Sequence, residues 1–112
     1  MANVSIDRCS TYEFKIFVSG DYDRIKEVCQ KFCLQGFCVS VKKVDYLYTM
    51  GAEGGAEVTV LNYPRFPSTE GELLAKSVEL GEEITLRCHQ GSFTVVGPSE
   101  TTFWSRRDGD KV

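Results

Sequence analysis

Tyr46-Leu47-Tyr48-Thr49-Met50-Gly51-Ala52-Glu53-Gly54-Gly55-Ala56-Glu57-Val58-Thr59-Val60-Leu61-Asn62-Tyr63-Pro64-Arg65-Phe66-Pro67 reads as a strand, a glycine-rich connection, a return strand and an aromatic-proline exit. Val44, Tyr46 and Tyr48 alternate on the way in, and Val58 and Val60 on the way out. Gly51, Gly54 and Gly55 lie close together, which predicts a flexible loop over Met50–Ala56. With a helical pattern before it and another after it, this hairpin decides the fold.

Upstream, Tyr12, Phe14, Ile16 and Val18 alternate with Glu13, Lys15 and Phe17, as in a half-buried strand. Asp21 is placed to cap a helix. Ile25, Val28, Cys29, Phe32 and Cys33 share one face of that helix at 3.6-residue spacing, and Gly36 sits where a C-terminal cap belongs. Phe37, Val39 and Val41 open the next strand. Its apolar residues then change phase near Lys42-Lys43, which predicts a bulge or bend there.

Downstream, Thr69 and Glu72 have capping-box spacing, with Ser68 a rival cap. Leu73, Leu74 and Val78 give a second helix its apolar face, and Gly81 is expected to end it. Ile84, Leu86 and Cys88 alternate as a fourth strand. Phe93–Val96 reads as a fifth and Thr101–Ser105 as a sixth. The expected fold class is α+β: a ferredoxin-like β-α-β-β-α-β antiparallel sheet with two helices on one face and a C-terminal β extension. One domain over residues 1–112 is expected, with an arm at 1–11 and a frayed charged tail at 106–112.

The 112 residues carry a net charge of −3, and 42% are hydrophobic. General nucleic-acid binding, which needs a positive field, is disfavoured. No apolar run approaches the length of a membrane span, and the first residues lack a signal-peptide pattern, so a cytoplasmic location and no membrane partner are expected. An odd number of cysteines then argues against a disulfide framework.

Cys29 and Cys33 fall in the apolar stripe of the first helix; with Cys38 and Cys88 they read as small core residues or as part of a metal set. Their spacing is not a usual zinc pattern, and no cofactor or metal is expected. His89 is the only histidine. It sits beside a turn glycine with no catalytic partner at recognisable spacing. The glycine connection lacks a P-loop lysine and precedes a strand, and Glu53 and Glu57 would repel an anion.

Asn62-Tyr63-Pro64-Arg65-Phe66-Pro67 carries two readings. A stiff, aromatic, arginine-bearing segment suits a binding surface, and the same aromatics suit a packed crossover over a sheet edge. The candidate partner- or ligand-binding residues are Tyr46, Tyr48, Glu53, Asn62, Tyr63, Arg65 and Trp104. No catalytic residue is assigned. An enzyme would need His89, Cys88 or a carboxylate to meet Arg65 in one cleft.

Through Cys29-x3-Cys33, Gly36-Phe37-Cys38-Val39, Tyr48-Thr49-Met50-Gly51-Ala52-Glu53 and Asn62-Tyr63-Pro64-Arg65-Phe66-Pro67, the chain resembles a group of small proteins of tailed bacteriophages and prophages, over roughly residues 13–106. The group has no established activity to carry over. The resemblance implies a phage origin and a host bacterial cytoplasm. The resulting expectation is a non-enzymatic accessory protein that binds a bacterial host protein, such as an inhibitor of a defence system. The alternative is a protein that binds or sequesters a nucleotide-like small molecule, with bases stacking on aromatics and Arg65 forking a phosphate. An edge strand or open sheet face offers a route to a homodimer.

Overall fold

The computed structural model describes residues 3–107. Its elements are β1 (Glu13–Ser19), α1 (Tyr22–Phe32), β2 (Val39–Tyr48), β3 (Gly51–Leu61), α2 (Glu70–Arg87), β4 (Ser92–Val96) and β5 (Thr101–Ser105). The five strands form one sheet in the order β2-β3-β1-β4-β5, and the pairings are antiparallel throughout. The first four strands and two helices make the expected ferredoxin-like α+β plan, with β5 as the C-terminal extension.

One face of the sheet carries the core. Phe14, Ile16 and Val18 of β1, Ala56, Val58 and Val60 of β3, and Phe93 and Val95 of β4 are buried on the helix side. Ile25, Val28, Cys29 and Phe32 of α1 and Leu73, Leu80 and Ile84 of α2 close over them. Both helices start as their sequences dictate. Asp21 accepts the Arg24 N–H at 3.1 Å. Thr69 and Glu72 form a reciprocal capping box, and the bonds from Thr69 hold the Glu72 carboxyl below its usual range.

The structure corrects four local expectations. First, α2 runs through Gly81 to Arg87, so Ile84, Leu86 and Cys88 form no strand. Ser77, Leu80, Gly81 and Ile84 are buried at helical spacing, which outweighs the short alternation at its end. Gly81 stands mid-helix because the Phe93 ring lies against it: a Cβ there would come within 2.3 Å of a ring carbon.

Second, β2 has no bulge. Its pairing with β3 runs unbroken from Val39↔Val60 to Tyr48↔Gly51. The apolar phase changes because burial changes sides. Val39 and Val41 pack against the helix-side core. Val44, Tyr46 and Tyr48 lie on the other, open face of the same straight strand.

Third, the segment Met50–Ala56 is no loop. β3 begins at Gly51, and the turn is Thr49-Met50 alone, with Met50 at φ 70°. Gly55 is required by close approach: a Cβ would fall 2.2 Å from the Val18 carbonyl oxygen.

Fourth, the expected fraying does not extend to Arg106 and Arg107, whose side chains bond back to the domain. The remainder of that expected tail, 108–112, lies outside the described residues.

Residues 3–12 have no regular secondary structure. The C-terminal part of this arm is nevertheless pinned, because Asn62 bonds to Ser10 and Tyr12. All five cysteines are free thiols. Cys29 is a core residue, and burial first, then the neighbouring Cys33 and Cys88, pushes its thiol up to about 12. Among the described residues no helix is long and apolar enough to cross a membrane.

Candidate functional site

The seven residues singled out from the sequence fall in three places. Tyr46, Tyr48 and Glu53 are together on the open face of the β2–β3 ribbon, with Tyr46 directly opposite Glu53. Asn62, Tyr63 and Arg65 lie past the far end of β3, about 30 Å along the strand from Glu53. Trp104 is on β5, at the opposite edge of the sheet and on its helix side.

Asn62 is used internally. It is 4% exposed. Its Nδ2 donates to the Ser10 carbonyl at 2.8 Å, and its Oδ1 accepts from the Ser68 N–H at 2.9 Å. Tyr63 stacks on Phe66 with centroids 5.1 Å apart, bridging across the proline turn. Arg65 is exposed beside the start of α2. Cys88 and His89 follow the other end of that helix, about 27 Å away by its rise per residue, so no cleft joins them to Arg65. His89 occupies a left-handed turn position at φ 55°.

Trp104 stacks on Phe93, centroids 6.1 Å apart and rings 7° from parallel, and stays 39% exposed. It lines an open concave surface of about 1060 Å³ with Val78, Glu82, Thr102 and Arg106. Arg106 is already committed there, donating to Thr85 Oγ1 at 3.1 Å and to the Glu82 carbonyl at 3.2 Å.

The densest chemistry is on the open face of the sheet. The strand registers place Lys42, Glu57, Phe17, Thr94 and Phe103 in one row across all five strands. Tyr46 leans into this row: its ring lies 5.9 Å from that of Phe17, and its hydroxyl donates to the Ala56 carbonyl. Burial pushes the Tyr46 phenol up to about 12; the Val18 backbone opposes the shift and the Glu57 charge adds to it. Tyr46 is therefore a neutral hydroxyl at ordinary pH.

Glu57 keeps a carboxylate beside these two rings with its side chain only 18% exposed, and Lys42, mostly in solvent, is its partner at 3.7 Å. A half-buried carboxylate next to aromatic faces is suited to a cation that is itself partly apolar. Among the described residues no group of three or more His, Cys, Asp or Glu is placed to hold a metal ion.

Phe17 and Glu57 were not among the expected site residues. Phe17 was visible as the one aromatic on the outward set of β1. The phase change in β2 was the second signal, since it brings Tyr46 to the same face.

The α+β fold has solved counterparts. One is a phage SAM lyase in complex with S-methyl-5'-thioadenosine, matched over 93% of this chain and 96% of that one, at 13% identity and a TM-score of 0.66. Another is a phage SAM lyase in the apo state, matched over 93% and 98%, at 14% identity and a TM-score of 0.68. No family model matches the sequence, and no curated protein matches it.

The two structures show the fold. They also overturn the expectation of a non-enzymatic binder of a bacterial host protein, because the architecture shared over nearly the whole chain is, in both, that of a lyase for a small molecule. The separation of Tyr46, Tyr63 and Trp104 agrees with that correction, since they do not form one contact surface. The alternative expectation, a nucleotide-like small-molecule ligand, fits the neighbour that holds a thionucleoside.

Proposed function

We propose that this protein binds S-adenosylmethionine on the open face of its sheet and cleaves it to S-methyl-5'-thioadenosine. The observation that carries the reading is the near full-length structural correspondence with a lyase that holds this thionucleoside. The chemistry of the face supports it. S-adenosylmethionine presents a sulfonium and an ammonium, both cations. Glu57 supplies the opposite charge, and Phe17 and Tyr46 supply ring faces that attract a weakly hydrated cation.

Release of the thionucleoside breaks the bond between sulfur and the four-carbon chain. The bonding pair moves onto sulfur and neutralises it. The carbon left short is satisfied by the fragment's own carboxylate, which closes a five-membered lactone. This step transfers no proton, so it needs no general acid or base from the protein. What the protein contributes is binding and orientation: Glu57 holds the cationic ligand on the open face in the geometry from which the ring closes.

The test is incubation of the purified protein with S-adenosylmethionine and detection of S-methyl-5'-thioadenosine and the lactone by mass spectrometry. Wild-type protein forms both, and Glu57→Gln binds S-adenosylmethionine about 10- to 100-fold more weakly, the worth of a charge-assisted contact, and forms both products correspondingly more slowly below saturation. Absence of binding and turnover in the wild type overturns the reading.

A further inference from the structure

Beside the row that holds Glu57 and Phe17 lies a second row of quite different character. Ser19 of β1 is two residues beyond Phe17, Ser92 of β4 is two residues before Thr94, and Ser105 of β5 pairs with Ser92. All three hydroxyls lie on the open face, because residues two apart on a strand share a face. Arg107 closes the row. Its backbone N–H donates to Ser105 Oγ at 3.1 Å, and its Nη2 donates to Ser92 Oγ at 2.8 Å.

The stem of Arg107 is seated on Gly91, where a Cβ would stand 3.0 Å from the arginine Cδ. The Arg106 N–H, bonded to the Gly91 carbonyl at 2.8 Å, fixes the backbone at this point. Gln90 adds a carboxamide at the same end, 3.4 Å from Ser19 Oγ. The open face thus carries a carboxylate with two rings on one side and a guanidinium with hydroxyls on the other. Glu57 and Ser92 are separated by two strand spacings across the sheet and two residues along it, about 12 Å.

That polarity matches a zwitterionic amino-acid side of a ligand that also carries a cation at its centre. We infer that Arg107, oriented by Ser92 and seated on Gly91, takes the α-carboxylate of S-adenosylmethionine, and so distinguishes it from ligands that lack this group. The inference rests on the proposed function and adds the residue that sets specificity within it. A single bond from the guanidinium to one carboxylate oxygen leaves the other oxygen to attack the carbon bearing sulfur. Arg107 is then a substrate-orienting group and moves no proton.

The experiment compares three ligands on wild type, Arg107→Ala and Arg107→Lys, with folding checked by circular dichroism. The ligands are S-adenosylmethionine, its decarboxylated analogue, and S-methyl-5'-thioadenosine. Arg107→Ala is expected to raise KM for S-adenosylmethionine about 10- to 100-fold, the worth of a charge-assisted bond. Its affinities for the other two ligands stay at the wild-type value, and Arg107→Lys recovers part of the loss. An equal loss for all three ligands, or no loss for S-adenosylmethionine, overturns the assignment while leaving the proposed activity standing. A wild type that binds none of the three overturns both.

Discussion

Arg106 and Arg107, adjacent in the chain, bond on opposite faces of the sheet. Arg106 reaches the helix side and donates to Thr85 Oγ1 at 3.1 Å, whereas Arg107 reaches the open side and donates to Ser92 Oγ at 2.8 Å. The alternation of an extended chain makes this division. It lets one short segment tie β5 to α2 and place a cation on the candidate site.

Arg106→Ala is expected to destabilise the fold by about 1–2 kcal/mol through loss of the bonds to Thr85 and Glu82. Urea denaturation reads this as a lower midpoint with an unchanged slope. Ligand affinity should stay at the wild-type value, since the side chain is on the helix side; a variant as stable as wild type would show that this tie is idle.

Gly81→Ala tests packing against propensity. In an open mid-helix position the change stabilises by about 1 kcal/mol. Here the new methyl meets the buried Phe93 ring, itself stacked on Trp104. A net loss of about 1–3 kcal/mol is expected, the cost of overpacking. A rise in Tm would mean that the helix and β4 sit further apart than described.

Asn62→Ala removes the amide that ties the N-terminal arm to the start of α2. The Ser10 carbonyl and the Ser68 N–H lose their partner, at a cost of about 2 kcal/mol for the buried groups left unpaired. Limited proteolysis should then cut within residues 3–11 faster than in wild type. An unchanged cleavage rate would show that the arm is held by other contacts.

Tyr46 links the site to alkaline stability. Its pKa is raised by burial from 10.0 to about 12, so the folded state resists losing that proton. The stabilisation is complete below pH 10 and fades as pH rises toward 12, where the unfolded chain ionises and the folded one does not. Ultraviolet titration at the phenolate band should show one late-ionising tyrosine that disappears in Tyr46→Phe. A titration in which all tyrosines ionise together near pH 10 would contradict the buried placement.

Much of the architecture was legible because capping and periodicity are local. Asp21, the pair Thr69 and Glu72, and the stripe Ile25, Val28, Cys29 and Phe32 each report on chain neighbours within one or two turns. The second half of α2 was not legible. Ile84, Leu86 and Cys88 alternate over a run too short to separate strand from helix, and Gly81 mimics a stop until the ring of Phe93, from a strand still to come, is seen against it.

The candidate site was legible in parts. Tyr46 was named from its setting, and its face was implied by the phase change in β2, which a bulge explains equally well from sequence. Asn62 carried the look of a ligand contact, but its amide serves the arm. Arg65 and His89 could be considered together only while the length of α2 was unknown.

By itself the sequence determined the β-α-β-β-α-β order, both helix starts and the core faces of β1 and α1, because these depend on spacing along the chain. Only the tertiary structure decided that Phe17, Tyr46, Glu57, Ser92 and Arg107 share the open face of one sheet. Five strands bring them together in the order β2-β3-β1-β4-β5. Neither that order nor its registers can be read from local periodicity, since both follow from how the helices cover one face and leave the other open.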